Sequence, residues 1–351
     1  MGCSSVNTLT TSQQTFHGPL ACLDDGRCIR EQLADDALGF AREIHDLRRR
    51  CGAVLLRGLQ FSDPKGLERI AKRICRESSL LMYEGERATP RTALGGFVYS
   101  STEYEKSGRI FVHNECSSRL SWPLVLMFAC AKPAHTGGAT PLCDIRTVSR
   151  ILDGGIQREF CKRGIQYTRN YGAEFGVSIE YAFGTTDRAE VDKYCEANDI
   201  ATQWNDNASL TTRFRRSSHA VHPETGEDLW FNYATFYSRV TLEPRMRRLL
   251  RGVSDSSLAF SAAYGDGEPV PESVFDACRE AYETAIYRFE WRQGDLLLLD
   301  NMLCAHGRDS FEGARETYVV MADEVVRPQP MSAGTRLVTE PMPGEVEEIR
   351  A

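Results

Sequence analysis

The sequence predicts one domain built from a mixture of α-helices and β-strands. Its 351 residues are enough to bury a large core, and 42% hydrophobic with 26% charged residues is an ordinary composition for a globular protein. Short apolar segments of strand length alternate with longer segments whose apolar residues recur at helical spacing. No internal repeat and no linker-like stretch divides the chain. These observations exclude a disordered chain, a collagen-like repeat and a coiled-coil rod.

The N-terminal third alternates between helical and strand-like segments. Residues 1–30 show no clear periodicity, and we expect them to form a partly ordered arm. Residues 31–50 and 64–77 place apolar side chains on one helical face, and the apolar residues 53–57 between them predict a buried strand. Residues 80–108 are polar and contain a Gly-Gly pair, which predicts irregular structure around a site.

The remainder of the chain carries the strongest strand signals. Short, largely apolar segments predict strands in residues 110–112, 122–130, 294–300 and 317–321. Apolar residues at helical spacing predict helices in residues 145–163, 187–198 and 272–287. Residues 328–351 are polar and contain several prolines. We therefore expect one domain over residues 31–327, followed by a peripheral tail.

Charge and cysteine usage restrict the environment and the partners. The net charge is −7 and the pI is about 5.6, so no basic field attracts nucleic acid or an anionic membrane. No apolar window is long enough to cross a bilayer. The twelve cysteines are scattered and follow a polar N-terminus. We expect reduced thiols in a cytoplasmic protein.

A histidine and a carboxylate two residues apart, His113 and Glu115, extend the predicted strand at residues 110–112. Alternate residues of a strand point to the same side, so both side chains can reach one metal ion. His306, just past the strand at residues 294–300, is the candidate third ligand. Two histidines and one carboxylate leave three octahedral positions of a metal open, which is the arrangement of non-haem Fe(II) oxygenases.

The sequence after His306 also offers a positively charged residue that could bind an organic cosubstrate of the metal. If 2-oxoglutarate takes two open positions through its C1 carboxylate and 2-oxo group, its C5 carboxylate needs a positive partner farther away. Arg315 offers a guanidinium fork for that carboxylate, and Thr140, after a Gly-Gly turn, offers a hydroxyl group. The alternative for Arg315 is a surface ion pair with Glu312 or Glu316, in which case Arg308 is the next candidate anchor.

Four segments, in this order, resemble the TauD/TfdA group of Fe(II)/2-oxoglutarate dioxygenases, and within it the SyrP-like, clavaminate-synthase-like members. These segments are HNECSSRLSWPLVLMFAC…GGATPLCDIR, RGIQYTRNYG, HPETGEDLWFN and GDLLLLDNMLCAHGRDSFEGAR. The resemblance covers roughly residues 50–325. It implies a mainly β double-stranded β-helix, a jelly-roll core with flanking helices, and a single TauD-like domain.

The resemblance also implies the cofactors and the residues that bind them. By this resemblance, Fe(II) is bound by His113, Glu115 and His306, and the cosubstrate 2-oxoglutarate is bound by Thr140 and Arg315. The oxidant is O2. Much of the superfamily has Asp at the carboxylate position, whereas clavaminate-synthase-like members have Glu, as here. Halogenating relatives replace this carboxylate with a small residue, so Glu115 argues against halogenation.

Other polar residues are candidates for supporting roles. The candidate substrate contacts are Arg169, Asn170, Asn232 and Thr102. The first three are set among aromatic residues, which is typical of a pocket wall and equally of strand packing. Asp300 and Asn301 either orient the distal histidine or cap the end of the strand that precedes them.

We expect an enzyme of specialised metabolism that oxidises an unactivated C–H bond of an amino-acid-type substrate, free or tethered to an acyl or peptidyl carrier protein. Hydroxylation is the default outcome, with desaturation and ring closure as alternatives. An oxygenase of a sulfonate or another small carboxylate is the rival within the class. A cupin-like binding protein without turnover and a zinc hydrolase are rivals from other classes. The sequence leaves open whether the protein forms a homo-oligomer.

Overall fold

The computed structural model describes residues 14–61, 63–83, 86, 91–172 and 177–327. The helices in these ranges are α1 (Gly26–Asp35), α2 (Ala37–Cys51), α3 (Pro64–Ile74), α4 (Ile145–Ile151), α5 (Gly154–Arg163), α6 (Ile179–Phe183), α7 (Arg188–Ala197), α8 (Pro244–Leu249) and α9 (Glu272–Thr284), with 3-10 turns at Glu77–Ser79, Arg239–Thr241 and Asp255–Ser257. The strands are β1 (Gln14–His17), β2 (Leu20–Leu23), β3 (Ala53–Leu56), β4 (Leu80–Leu81), β5 (Ala93–Gly95), β6 (Val98–Ser100), β7 (Ile110–His113), β8 (Ser121–Lys132), β9 (Thr136–Gly137), β10 (Leu142–Asp144), β11 (Ile165–Tyr171), β12 (Ala201–Trp204), β13 (Leu210–Arg216), β14 (His219–Val221), β15 (Asp228–Trp230), β16 (Phe260–Tyr264), β17 (Ile286–Tyr287), β18 (Leu296–Asp300), β19 (Cys304–Arg308), β20 (Phe311–Glu312) and β21 (Glu316–Val326).

Sheets dominate the architecture. Within the described residues, the largest sheet has nine strands in the order β1-β2-β3-β18-β8-β21-β6-β5, with β4 also paired to β21. A second sheet has the order β17-β10-β19-β7, and a third has the order β12-β13-β11-β16. All pairings in these sheets are antiparallel except that of β2 with β3. The expected mixture of helices and strands, mainly β, is confirmed.

The main sheet is buried on both faces, which explains why its central strands are continuous apolar runs. In β18, Leu296 and Leu298 join one hydrophobic cluster, whereas Leu297 and Leu299 join another. Helices α1 to α3 contribute to the first cluster. Strands β10 and β19 contribute Leu142 and Cys304 to the second, which therefore lies between the main sheet and the second sheet. A strand with polar alternation would expose polar groups to one of these cores.

Two segments expected as single helices are divided. Residues 31–50 belong to α1 and α2, because Asp36 ends the first helix and caps the second, its carboxylate accepting a hydrogen bond from the Gly39 N–H. Residues 145–163 are divided between α4 and α5 in the same way, with Asp153 accepting from the backbone at the start of α5. In both cases a short acidic side chain competes with the helix for backbone donors.

The segment expected as an N-terminal arm contributes to the domain. Strand β2 is buried and pairs in parallel with β3, so the main sheet begins before residue 31, and α1 begins at Gly26. Residues 1–13 and the expected tail at residues 328–351 lie outside the described residues. None of the helices within the described ranges has the length and apolar character needed to cross a membrane.

A buried charged cluster fixes the point where the main sheet leads into β19. Asp300, the last residue of β18, is fully buried and accepts hydrogen bonds from the backbone N–H groups of Met302 and Leu303, 3.0 Å each. Its carboxylate also lies 2.8 Å from Arg48 Nη1 and 3.1 Å from His222 Nε2. Helix α2, the strand end and the following turn are thereby joined through one carboxylate.

We predict that Arg48→Gln destabilises the fold substantially. The substitution leaves the buried Asp300 carboxylate without its cation, and breaking such a pair costs about 3–5 kcal/mol. Urea unfolding followed by circular dichroism measures the loss. Arg42→Gln on the exposed face of the same helix is the matched control. Equal unfolding midpoints for the two variants would contradict the structural role of this cluster.

Candidate active site

The three candidate metal ligands come together at the edge of the second sheet that is formed by β7 and its neighbour β19. His113 ends β7, and His306 lies directly opposite it on β19 in the antiparallel register. Glu115 was expected on the same strand as His113, but β7 ends at His113 and Glu115 lies in the turn that follows. One potential ligand atom from each residue lies within 4.8 Å of the others.

Close backbone approach between β7 and β19 sets the separation of the two histidines. Gly307 follows His306, and a Cβ atom at this position would lie 2.5 Å from the carbonyl oxygen of Ile110. That distance is far inside van der Waals contact. The register between the strands also shifts between His306 and Arg308. Glycine is therefore required where the second sheet presents its distal histidine.

Both imidazoles are suited to metal binding in their neutral form. Burial lowers the pKa of His113 and of His306 below the usual range. His113 Nδ1 lies 2.9 Å from the carbonyl oxygen of Phe111, so this nitrogen donates its proton and Nε2 carries the lone pair. His306 Nδ1 is buried and has no hydrogen-bond partner among the described residues. A buried polar nitrogen without a partner fits a site in which a metal ion or another bound group completes the surroundings of this histidine.

The backbone of Glu115 is held by Asn301. The Asn301 side-chain oxygen accepts a hydrogen bond from the Glu115 N–H at 2.7 Å, and its amide nitrogen donates to the carbonyl oxygens of Glu115 and Pro123 at 2.8 Å each. The next residue, Cys116, has a φ of 58°, a conformation that non-glycine residues rarely adopt. Asn301 thus positions the turn that carries the carboxylate rather than the distal histidine.

The side chain of Glu115 is paired with Arg91, which sequence reasoning did not identify. Arg91 Nη2 lies 2.7 Å from Glu115 Oε2. Burial alone would raise the pKa of Glu115, but Arg91 and the two histidines outweigh it and hold the pKa at about 2. The carboxylate is therefore ionised. The only sequence signal for Arg91 is its position in the irregular segment expected around a site.

Cys116 adjoins this carboxylate without the features of a nucleophile. Burial raises the pKa of its thiol to about 11, so the thiolate is scarce at neutral pH.

A first cavity opens beside the two histidines and contains both expected cosubstrate anchors. Its lining includes Arg91, Thr102, Thr140, Arg308 and Arg315. The Arg315 side chain is largely buried, and burial together with the neighbouring Arg308 cation lowers its pKa to about 10. Its Nε donates to the carbonyl oxygen of Gly138 at 3.2 Å. Among the described residues, no carboxylate lies within 4.0 Å of Arg315, so the alternative ion pair with Glu312 or Glu316 is not formed.

The neighbours of Arg315 have distinct hydrogen-bonding roles. The Thr140 hydroxyl oxygen accepts a hydrogen bond from the Trp291 indole at 3.0 Å, which leaves its own proton for another acceptor. Arg308 donates to the carbonyl oxygens of Tyr104, Glu105 and Gly108, so its guanidinium holds a loop. Arg315 and Thr140 therefore each offer a donor to an anion in this cavity.

A second cavity is lined in part by Glu115 and is rich in arginine. It is lined by Tyr83, Glu86, Glu115, Cys116, Ser118, Arg119, Leu120, Arg169, Tyr194, Asn198, Ile200, Phe214, Arg216, Tyr233 and Tyr237. Arg169 forms a buried ion pair with Glu86. Burial lowers the pKa of Arg216 to about 10. Tyr233 connects this cavity to the histidines, its ring centroid lying 5.7 Å from that of His113.

The four candidate substrate contacts have different positions. Arg169 lines the second cavity, and Thr102 lines the first. Asn170 and Asn232 line neither. The Asn170 amide donates to the carbonyl oxygen of Leu258 and accepts from the Thr211 hydroxyl, whereas Asn232 donates to Ser218 and accepts from the Ala234 N–H. The strand-packing interpretation fits both asparagines, because their polar groups are used within the fold.

The donor set suits a divalent iron centre. Two neutral imidazoles and one ionised carboxylate bind Fe(II) and leave open positions for other ligands. The adjacent guanidinium without an acidic partner suits the far carboxylate of 2-oxoglutarate. These features define the class of protein as a mononuclear non-haem iron oxygenase.

Comparisons with known proteins agree with this class. The family model described as taurine catabolism dioxygenase TauD, TfdA family matches residues 29–321. The dapdiamide synthesis protein DdaC of Enterobacter agglomerans is 34% identical over 275 residues, 78% of this chain and 83% of the relative. A clavaminate synthase-like protein of Arabidopsis thaliana is 24% identical, over 78% of this chain and 82% of its own. The crystal structure of AAD-2 in complex with Mn(II) and N-oxalylglycine matches in fold, with a TM-score of 0.51 and 13% identity over 90% of this chain and 97% of that chain.

The chain belongs to the TauD/TfdA family, and the resemblance seen in its motifs is confirmed. It is a 2-oxoglutarate-dependent dioxygenase that uses Fe(II), 2-oxoglutarate and O2. A binding protein without turnover and a zinc hydrolase are therefore set aside as alternatives.

We predict that His306→Ala abolishes tight metal binding and nearly all turnover. The substitution removes one of the three candidate donors, and no other group of three or more His, Cys, Asp or Glu residues among the described residues is arranged to hold an ion. Anaerobic titration with Fe(II), followed by a metal assay after desalting, measures the stoichiometry. The wild type and the exposed variant His135→Ala should each keep one equivalent. Full activity of His306→Ala would refute this assignment.

Proposed function

We propose that Fe(II) is bound by His113, Glu115 and His306, and that Arg315 and Thr140 bind the C5 carboxylate of 2-oxoglutarate. The observation that carries this proposal is the position of Arg315, a largely buried cation without an acidic partner among the described residues, in the same cavity as both histidines. Fe(II) with 2-oxoglutarate and O2 supplies the oxidising chemistry that functionalises an unactivated C–H bond. The chain holds the reactants and excludes water around them.

We further propose that the scaffold is a double-stranded β-helix. The main sheet and the second sheet share a hydrophobic cluster between them, as the walls of a jelly roll do. His113 and His306 lie on the smaller of these two sheets. Aromatic side chains shield the centre, with Phe236 centred 4.8 Å from the His113 ring and Phe128 centred 4.8 Å from the His306 ring.

The second cavity is the proposed binding site of the oxidised substrate. It contains three guanidinium groups, those of Arg119, Arg169 and Arg216, whereas Glu86 is its only lining carboxylate besides Glu115. Arg169 is paired with Glu86, and Arg216 Nη1 lies 3.5 Å from Asp199 Oδ2. Guanidinium groups bind carboxylates through two parallel hydrogen bonds, so this lining favours a substrate with a carboxylate. Because Glu115 lines this cavity, a substrate anchored there would lie next to the proposed iron site, whereas 2-oxoglutarate is proposed for the first cavity. An amino-acid-type substrate, free or tethered to a carrier, meets this requirement.

A biosynthetic role is supported by the relative DdaC, which is named as a dapdiamide synthesis protein. We therefore place the reaction in specialised metabolism, with hydroxylation as the default and desaturation or ring closure as alternatives. The arginine groups of the second cavity would also accept a sulfonate, so an oxygenase of a sulfonate or another small carboxylate is the second candidate. Substrate-dependent turnover separates the two.

We predict that Arg315→Gln weakens 2-oxoglutarate binding far more than binding of the oxidised substrate. Removing one partner of a buried charged pair costs about 2–5 kcal/mol, which corresponds to roughly 30-fold or more in affinity. The KM values for both reactants, obtained from succinate formation, give the comparison. Arg288→Gln, at a half-exposed arginine paired with Asp309, is the matched control. An unchanged KM for 2-oxoglutarate in Arg315→Gln would move the anchor to Arg308.

We predict that amino acids or their carrier-bound thioesters stimulate succinate formation, whereas taurine and aryloxyacetates do so weakly. In Arg169→Gln, the KM for the active substrate should rise by at least tenfold while the KM for 2-oxoglutarate changes little, because Arg169 lines only the second cavity. Arg213→Gln on the neighbouring strand β13 is the control. Strong turnover with a sulfonate and none with any amino-acid form would favour the second candidate.

A further inference from the structure

Arg91 is a buried arginine at the boundary between the first cavity and the candidate metal site. Its side chain is 3% exposed, and its guanidinium carbon lies 4.9 Å from the ring centroid of Tyr83. Nη2 lies 2.7 Å from Glu115 Oε2 and 3.5 Å from the Thr102 hydroxyl. Of these two polar contacts, the one with Glu115 is by far the shorter.

The other donors of Arg91 distinguish it from arginines that hold the fold together. Arg91 Nε and Nη1 are buried and have no hydrogen-bond partner among the described residues. Arg308, by contrast, donates to three backbone carbonyl groups, and Arg57 donates to both Asp295 and the carbonyl oxygen of Glu290. Burying a guanidinium is costly unless it is paired. The burial of Arg91 is therefore offset chiefly by Glu115.

Arg91 makes the two oxygens of Glu115 unequal. Oε2 accepts the charged hydrogen bond from Arg91, whereas the neighbour of Oε1 is the Cys116 thiol at 3.8 Å, a weak donor. Asn301 already holds the backbone of Glu115 from the opposite side. With the backbone and one carboxylate oxygen both held, Oε1 is the oxygen left for a metal ion.

We propose that Arg91 is a positioning residue that restricts Glu115 to metal binding through one oxygen. This inference rests on the proposed role of Glu115 as a metal ligand. Arg91 holds Oε2 away from the metal, keeps the carboxylate in a fixed orientation and leaves the remaining coordination positions to 2-oxoglutarate and O2. Partners of metal ligands commonly contribute 10–100-fold to metal affinity.

The test is metal binding by Arg91→Gln and Arg91→Lys, with Mn(II) as the probe. Calorimetric titration without 2-oxoglutarate should show affinity about 10–100-fold below wild type for Arg91→Gln. Arg91→Lys should recover part of the loss, because an ammonium group restores the charge without the guanidinium geometry. Co(II)-loaded Arg91→Gln should also show an altered visible spectrum, which reports a change in coordination number and would not respond to a loss of stability alone.

Arg57→Gln is the matched control, since it breaks a buried ion pair with Asp295 in a part of the main sheet away from the histidines. It should bind Mn(II) as the wild type does. Wild-type affinity and an unchanged Co(II) spectrum in Arg91→Gln would overturn the inference, and so would an equal loss of affinity in Arg57→Gln. Glu115→Ala separates the two levels of the argument. If it retains metal, the proposed metal site is wrong; if it loses metal while Arg91→Gln does not, only the role of Arg91 is wrong.

Discussion

The antiparallel pairing of β7 with β19 is the constraint on which the site depends. It places two histidines far apart in sequence directly opposite each other, with their ring centroids 4.7 Å apart. Side chains alternate between the faces of a strand, so a slip of one residue would turn His306 to the other face. The close approach at Gly307 holds this register, and the buried carboxylate of Asp300 fixes the turn that leads into β19.

Burial then determines the chemistry of the residues that this pairing brings together. It keeps the two imidazoles neutral, whereas the compensating charge of Arg91 keeps Glu115 ionised. The same low-dielectric surroundings favour anion binding by Arg315, which has no acidic partner in the part of the chain that the structure describes. The candidate site thus combines neutral and negative groups that suit a metal with the guanidinium groups of two neighbouring cavities.

Sequence patterns predicted the features that depend on local residue type and spacing. The leucine run of β18 and the apolar run of β8 were recognisable because both faces of the main sheet are buried. His113 and Glu115 stood out through their two-residue spacing beside a predicted strand, and Arg315 through its position between His306 and the next predicted strand. Arg91 and Trp291 could not be found in this way, because their roles arise from contacts with residues distant in sequence. For the same reason, the internal hydrogen bonds of Asn170 and Asn232 could not be foreseen.

The candidate metal ligands and the proposed substrate cavity are built on different sheets. The histidines lie on β7 and β19, whereas Arg169, Phe214 and Arg216 in the second cavity lie on β11 and β13 of the third sheet. Mutations in that third sheet can therefore reshape the cavity without altering the spacing of the histidines. A lineage carrying this framework is free to acquire new substrates by gradual change while its oxidising centre is inherited intact.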